Sequence, residues 1–107
     1  MKNIKYGKMP VRKYLISNHY HIIIGIEEGK FISVGLTSDK PNDKKNQKLH
    51  KVYESNGKIA RLKRNITIDI IVKYKKKNAN FNVDIDTEKK VIDMAKKREN
   101  KKSKSDT

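Results

Sequence analysis

Apolar and polar positions alternate most densely between Tyr20 and Lys40. Tyr20, Ile22, Ile24 and Ile26 recur at a period of two, with His21, Ile23, Gly25 and Glu27 between them. That period sends alternate side chains to opposite faces of an extended strand. Ile23 adds bulk to the second face, as expected of a central strand. Glu28-Gly29-Lys30 predicts a tight loop in which Gly29 takes positive φ. The return strand sets Ile32, Val34 and Leu36 against Phe31, Ser33 and Gly35. Gly25 and Gly35 within these strands predict bends or close backbone approach, as in a strongly curved barrel. The hairpin then runs into a polar corner, Thr37-Ser38-Asp39-Lys40.

The flanking segments are less regular. Gly7 and Pro10 punctuate an entry segment, and Val11 to Ser17 predicts a first strand. Ser38 to Lys48 is polar, basic and contains Pro41, so a loop is expected. Leu49 to Glu54 predicts a short strand, and Asn56-Gly57 a type I′ turn. Lys58 to Lys63 alternates again. Ile66, Ile68, Ile70, Val72 and Tyr74 alternate most cleanly, which makes Asn65 to Tyr74 the last long strand. Lys75 to Asn82 is expected as a linker. Asp86 is expected to cap a helix from Thr87, with Glu88 in its first turn and a docking stripe of Val91, Ile92, Met94 and Ala95. From Lys96 on no apolar residue remains to bury, and disorder is expected. Five or six short strands and one late helix predict a mainly β fold, a small antiparallel barrel of SH3-like or OB-like kind. It would be one domain over residues 1–95 with a basic tail over 96–107.

Charge changes this picture most. The chain has 107 residues, with 27 Lys and Arg against 12 Asp and Glu, a net charge of +15. This exceeds what solubility asks of a small domain, and the usual counterpart is a polyanion. Residues 58–77 hold eight bases and one acid, whereas residues 19–38 hold one base and two acids. The excess therefore flanks the apolar hairpin. Nucleic acid is the expected partner. Lys44, Lys45, Lys48, Arg61, Lys63, Arg64, Lys73 and Lys75 are the expected phosphate contacts, with Lys76 and Lys77 beside them. There is no Cys, no apolar run of membrane length and no signal-peptide core, so a soluble cytoplasmic protein without a membrane partner is expected.

Candidate chemistry is sparse. His19, His21 and His50 show no metal-ligand spacing, and no Cys could join them, so no metal or other cofactor is expected. His21 is kept as a secondary candidate base. Phosphate-loop glycines and a nucleophile elbow are both missing. Thr37, Ser38 and Lys40 remain, at a strand end facing a basic loop. RNA cleavage needs no metal, because the ribose 2′-hydroxyl is the nucleophile. The protein must align it and stabilise charge on the phosphoryl oxygens, and short hydroxyl donors with a mobile cation suit that task. The same residues also commonly end a strand and begin a turn.

Phe31 to Lys40, FISVGLTSDK, resembles the K-[FY]-h-x-x-L-T-S-x-K segment of ToxN-like toxins. These are the endoribonucleases of type III toxin–antitoxin systems, in the MazF/PemK-like superfamily. His21 to Ile26 is similar to their first core strand, and Asn56 to Ile68 resembles their G-K-h-x-x-h-x-x-N-M-I-P-h segment. The resemblance covers Tyr20 to Ile68. It implies a compact MazF/PemK-like antiparallel barrel, with catalytic Thr37, Ser38 and Lys40. The implied reaction is metal-independent RNA cleavage to a 2′,3′-cyclic phosphate, and the implied inhibitor an RNA or acidic protein antitoxin. Where the family usually has Pro this chain has Asp39, an acid expected to repel phosphate. The alternative is a non-catalytic nucleic-acid-binding accessory protein of a mobile element, a plasmid or phage.

Overall fold

The computed structural model describes residues 3–14, 19–73 and 76–105. Six strands form one antiparallel sheet: β1 (Val11–Tyr14), β2 (Tyr20–Glu27), β3 (Lys30–Ser38), β4 (His50–Tyr53), β5 (Ile59–Ile71) and β6 (Lys76–Asn78). Their order across the sheet is β4-β5-β3-β2-β1-β6. A short helix, α1 (Lys44–Gln47), precedes β4, and a long one, α2 (Ile85–Ser105), ends the described chain. The fold is thus mainly β with a C-terminal helix, as the alternation predicts. Among the described residues no helix is long and apolar enough to cross a membrane.

The hairpin lies where expected. Glu27 pairs with Lys30, and Glu28 and Gly29 both take positive φ (51° and 76°), the signature of a two-residue type I′ turn. Ile22, Val34 and Leu36 point inward to a core shared with Val11, Val52, Ala60, Leu62, Phe81, Val83 and Val91. The second face of β3 is covered at Phe31, Ser33 and Gly35, all buried. At Gly35 the cover is the Lys63 stem: a Cβ there would stand 3.0 Å from Lys63 Cδ. The close approach expected of that glycine is present, and it aims Lys63 across the outer face.

Register shifts in β2–β3 and β3–β5 bend the sheet. Between the Val34–Ile66 and Leu36–Leu62 pairs, β5 has three residues where β3 has one. Such bulges increase local twist and re-aim side chains. The segment 82–85 joins the open edge of β4 to the entry segment that precedes β1. Ser55 N–H donates to the Asn82 carbonyl at 2.8 Å and Asp84 N–H to the Tyr53 carbonyl at 3.1 Å. On its other side, Gly7 N–H donates to the Val83 carbonyl at 2.9 Å, and Ile85 N–H to the Lys5 carbonyl at 3.0 Å. The sheet thereby curls into a small barrel.

Several expectations are corrected. Within the supposed loop 38–48, Asp43 caps α1 by accepting from Lys45 N–H at 3.0 Å and Asn46 N–H at 3.2 Å. Asn56-Gly57 is not type I′. Gly57 N–H donates to the Glu54 carbonyl, and among the described residues only Gly57 of this turn has positive φ (91°), giving a type I turn with a glycine bulge. The two strands expected over 58–63 and 65–74 are one, β5, which bends through its bulges instead of breaking. The supposed linker contains β6, paired with β1. Leu15 to Ser17, expected to complete the first strand, lies outside the described residues.

The helix is capped by Asp84, not Asp86. Asp84 accepts from Thr87 N–H at 3.1 Å and from Thr87 Oγ1–H at 2.6 Å, whereas Asp86 is exposed. Beyond Lys96, where disorder is expected, α2 continues to Ser105. Arg98 ties it to the hairpin through a 2.6 Å ion pair with Glu27. Of the docking stripe, Val91 is buried and Met94 packs against the core, while Ile92 is 41% exposed.

Candidate nucleic-acid interface

The polar corner is held by a buried arginine. Arg61 faces Thr37 across the β3–β5 pair, with a side-chain exposure of only 9%. Its Nε donates to Asp39 Oδ1 at 2.9 Å, Nη1 to the Leu49 carbonyl at 3.0 Å and Nη2 to Gln47 Oε1 at 2.8 Å. Gln47 Nε2 in turn donates to Asp39 Oδ1 at 2.6 Å. Hydrogen bonds from Gln47, and then Arg61, hold the Asp39 carboxyl below the usual carboxylate range. The acid expected to repel phosphate is neutralised locally. Arg61, expected as a phosphate contact, is instead an internal strut.

Asn46 braces the other side of the corner. This buried side chain accepts from Lys40 N–H at 2.8 Å, and its amide donates to the Ser38 carbonyl at 3.1 Å. The one-turn helix α1 thus fixes the backbone on both sides of Asp39.

Thr37 lines a cleft of ≈ 560 Å³ together with Asp43, Lys45, Asn46, Lys48, Leu49, Lys63 and Arg64. Four cations face one acid, and that acid is already engaged as the cap of α1. A second cleft of ≈ 380 Å³ shares Lys48, Leu49, Lys63 and Arg64 with it and extends to His50, Leu62, Lys90 and Met94. The bulge in β5 supplies Lys63 and Arg64 to both. A third hollow, of ≈ 600 Å³, balances Lys5 and Lys89 against Asp84 and Asp86 and has no excess charge to attract a polyanion.

The remaining expected residues are distributed unevenly. Ser38 and Lys40 are exposed and are not among the residues lining either cleft. Lys44 is exposed on α1 next to the cleft-lining Lys45. Lys73 lies past the far end of β5 and is not among the residues lining either cleft. Lys75 lies outside the described residues. His21 stands on the outer face, its Nδ1 3.3 Å from Ser33 Oγ and its ring beside Gly35 and Lys63.

His50 and Lys90 were not foreseen in this role. His50 Nε2 lies 3.1 Å from Thr87 Oγ1, and burial pushes its imidazole below the usual histidine range. Among the described residues no group of three or more His, Cys, Asp or Glu is placed to hold a metal ion. In comparisons with known proteins, no family model matches the chain, and no curated protein or solved structure matches it either.

Proposed function

We propose that the protein is a metal-independent endoribonuclease of the toxin kind, and that the joined basic clefts hold its RNA substrate. The observation that carries this reading is Thr37 on the wall of a cleft with Lys45, Lys48, Lys63 and Arg64. Cations at that density neutralise successive phosphates, and the Thr37 hydroxyl offers a short donor to a phosphoryl oxygen as charge builds there. The Arg61–Asp39 pair supports the reading, since it pairs the acid between Ser38 and Lys40 with a cation, while Asp43, the acid on the cleft wall, is engaged as the cap of α1. Ser38 and Lys40, catalytic by resemblance, would reach the phosphate from outside the cleft. An inhibitor, whether RNA or an acidic protein, would compete for the same cations.

The test is incubation of the purified protein with mixed RNA in EDTA, beside Thr37→Ala and Lys40→Ala variants. The expected products carry 2′,3′-cyclic phosphate and 5′-hydroxyl ends, and Thr37→Ala slows their formation by about 100-fold. RNA left intact by the wild-type protein at high concentration would refute the catalytic reading. A second reading, a non-catalytic RNA-binding module, is favoured by the placement of Ser38 and Lys40 outside the clefts. Salt-sensitive binding without cleavage is its signature.

A further inference from the structure

The second cleft contains a hydrogen-bonded chain that the reading above leaves unused. Asp84 is buried, and its Oδ1 accepts from Tyr53 N–H at 2.9 Å as well as from Thr87 Oγ1–H at 2.6 Å. Thr87 is fully buried, and its hydroxyl has a single proton. With that proton donated to Asp84, Thr87 Oγ1 can only accept from His50 Nε2, 3.1 Å away. The tautomer assigned by this network has the proton on Nε2 and a lone pair on Nδ1. Among the described residues Nδ1 has no hydrogen-bond partner.

The surroundings suit a base. His50 shares its cleft wall with Lys48, Lys63, Arg64 and Lys90, and with no acid. Burial is the main cause keeping the imidazole neutral; Lys90 and Arg61 act the same way, while Asp84 and Asp86 oppose them. Protonation at Nδ1 would be stabilised through Nε2–H and Thr87 to the Asp84 carboxylate, a carboxylate-supported histidine relay with a hydroxyl interposed.

We infer that His50, oriented by Thr87 and Asp84, is the general base that takes the 2′-hydroxyl proton of an RNA strand lying along the joined clefts. This rests on the endoribonuclease reading. The 2′-oxygen forms its bond to phosphorus as its proton passes to Nδ1, and the bond from phosphorus to the 5′-oxygen breaks. The departing oxygen takes a proton from water, and the imidazolium returns its own to the hydroxide so formed. No proton is consumed overall.

The experiment measures kcat/KM against pH in EDTA for the wild type and His50→Gln, whose amide nitrogen can still donate to Thr87. The wild-type rate should rise with pH to a plateau, with a midpoint below the ordinary histidine value of about 6.5. His50→Gln should lose that rise and at least ~100-fold in rate at neutral pH. It should bind a 2′-deoxy oligonucleotide within about twofold of wild type, since catalysis and not affinity is removed. Thr87→Val should slow cleavage and Thr87→Ser restore it. The His50 ring should show the Nε2–H tautomer by nitrogen NMR, with a titration midpoint matching the kinetic one. That measurement needs no variant, and a mismatch overturns the inference. An active wild type with an equally active His50→Gln, unchanged in profile, overturns the role of His50 and leaves the endoribonuclease reading standing. A wild type inactive on RNA at every pH overturns both.

Discussion

Arg61 and Arg64 lie on the same strand, yet their environments are opposite. Arg61 is buried and engaged by Asp39, Gln47 and the Leu49 carbonyl, whereas Arg64 is exposed along both basic clefts. Arg61→Ala strands a carboxylate and a carbonyl, so thermal unfolding should show the melting temperature down by roughly 10 °C. Its effect on the salt dependence of RNA binding should be slight once folding is restored by cooling. Arg64→Ala should leave the melting temperature within about 2 °C and lower the slope of log K against log salt by ~0.7 for a single-stranded probe. A charge count treats these residues alike. What separates them is whether the guanidinium donors meet backbone carbonyls or solvent, and composition is silent on that.

At the scale of elements, the choice between Asp84 and Asp86 is decided by side-chain geometry. Asp84→Ala removes acceptors for Thr87 and for the Tyr53 amide, and should cost about 1–2 kcal/mol, read as a drop of about 5–10 °C in melting temperature. Asp86→Ala, at an exposed position, should cost no more than about 2 °C. Both aspartates precede Thr87 and Glu88 closely enough to look like caps, and the fold sets Asp84 against Thr87 and the Tyr53 amide. The strands were legible because burial on one face imposes a period of two. α1 was not, since its four residues are basic and polar, and its reason to exist is Asn46 reaching back to Ser38 and Lys40. The strand β6 was hidden for a similar cause: lysines on an edge resemble a linker until β1 is there to pair with them. Thr37 was visible in the hairpin corner. His50 was not, because a lone histidine at a strand start has no spacing signal when Thr87 is 37 residues away.

For the whole molecule, the titrations of His50 and Asp39 act in one direction. His50 binds its proton less readily folded than unfolded, so its contribution is complete above about pH 6.5 and is lost as pH falls through the lowered folded value. Asp39 is likewise depressed, and its contribution is present above its ordinary value of 3.8 and lost as pH falls through a lower one. Melting temperature followed from pH 8 downward should therefore fall in two stages. The upper stage should vanish in His50→Gln and the lower one diminish in Asp39→Asn. A flat profile between pH 7 and 5 would contradict the burial of His50. Acidification also adds to a net charge that is already +15, which steepens both stages through self-repulsion.

The curled sheet is closed by residues that are distant along the chain. Val83 accepts from Gly7, Glu88 Oε2 accepts from the Met9 amide at 2.6 Å, and Arg98 grips Glu27. The β2–β3 hairpin can form early from neighbours, but the clasp over 82–85 must wait for both ends of the described chain to meet. Contacts between such remote partners slow folding, because loop entropy is lost before they form. Molecules that have made the hairpin and not the clasp would present the unpaired edge of β4 together with an uncovered core. A partner that engaged that edge would hold the protein unfinished, and the cleft around His50, whose walls draw on β4, β5 and α2, would not yet exist.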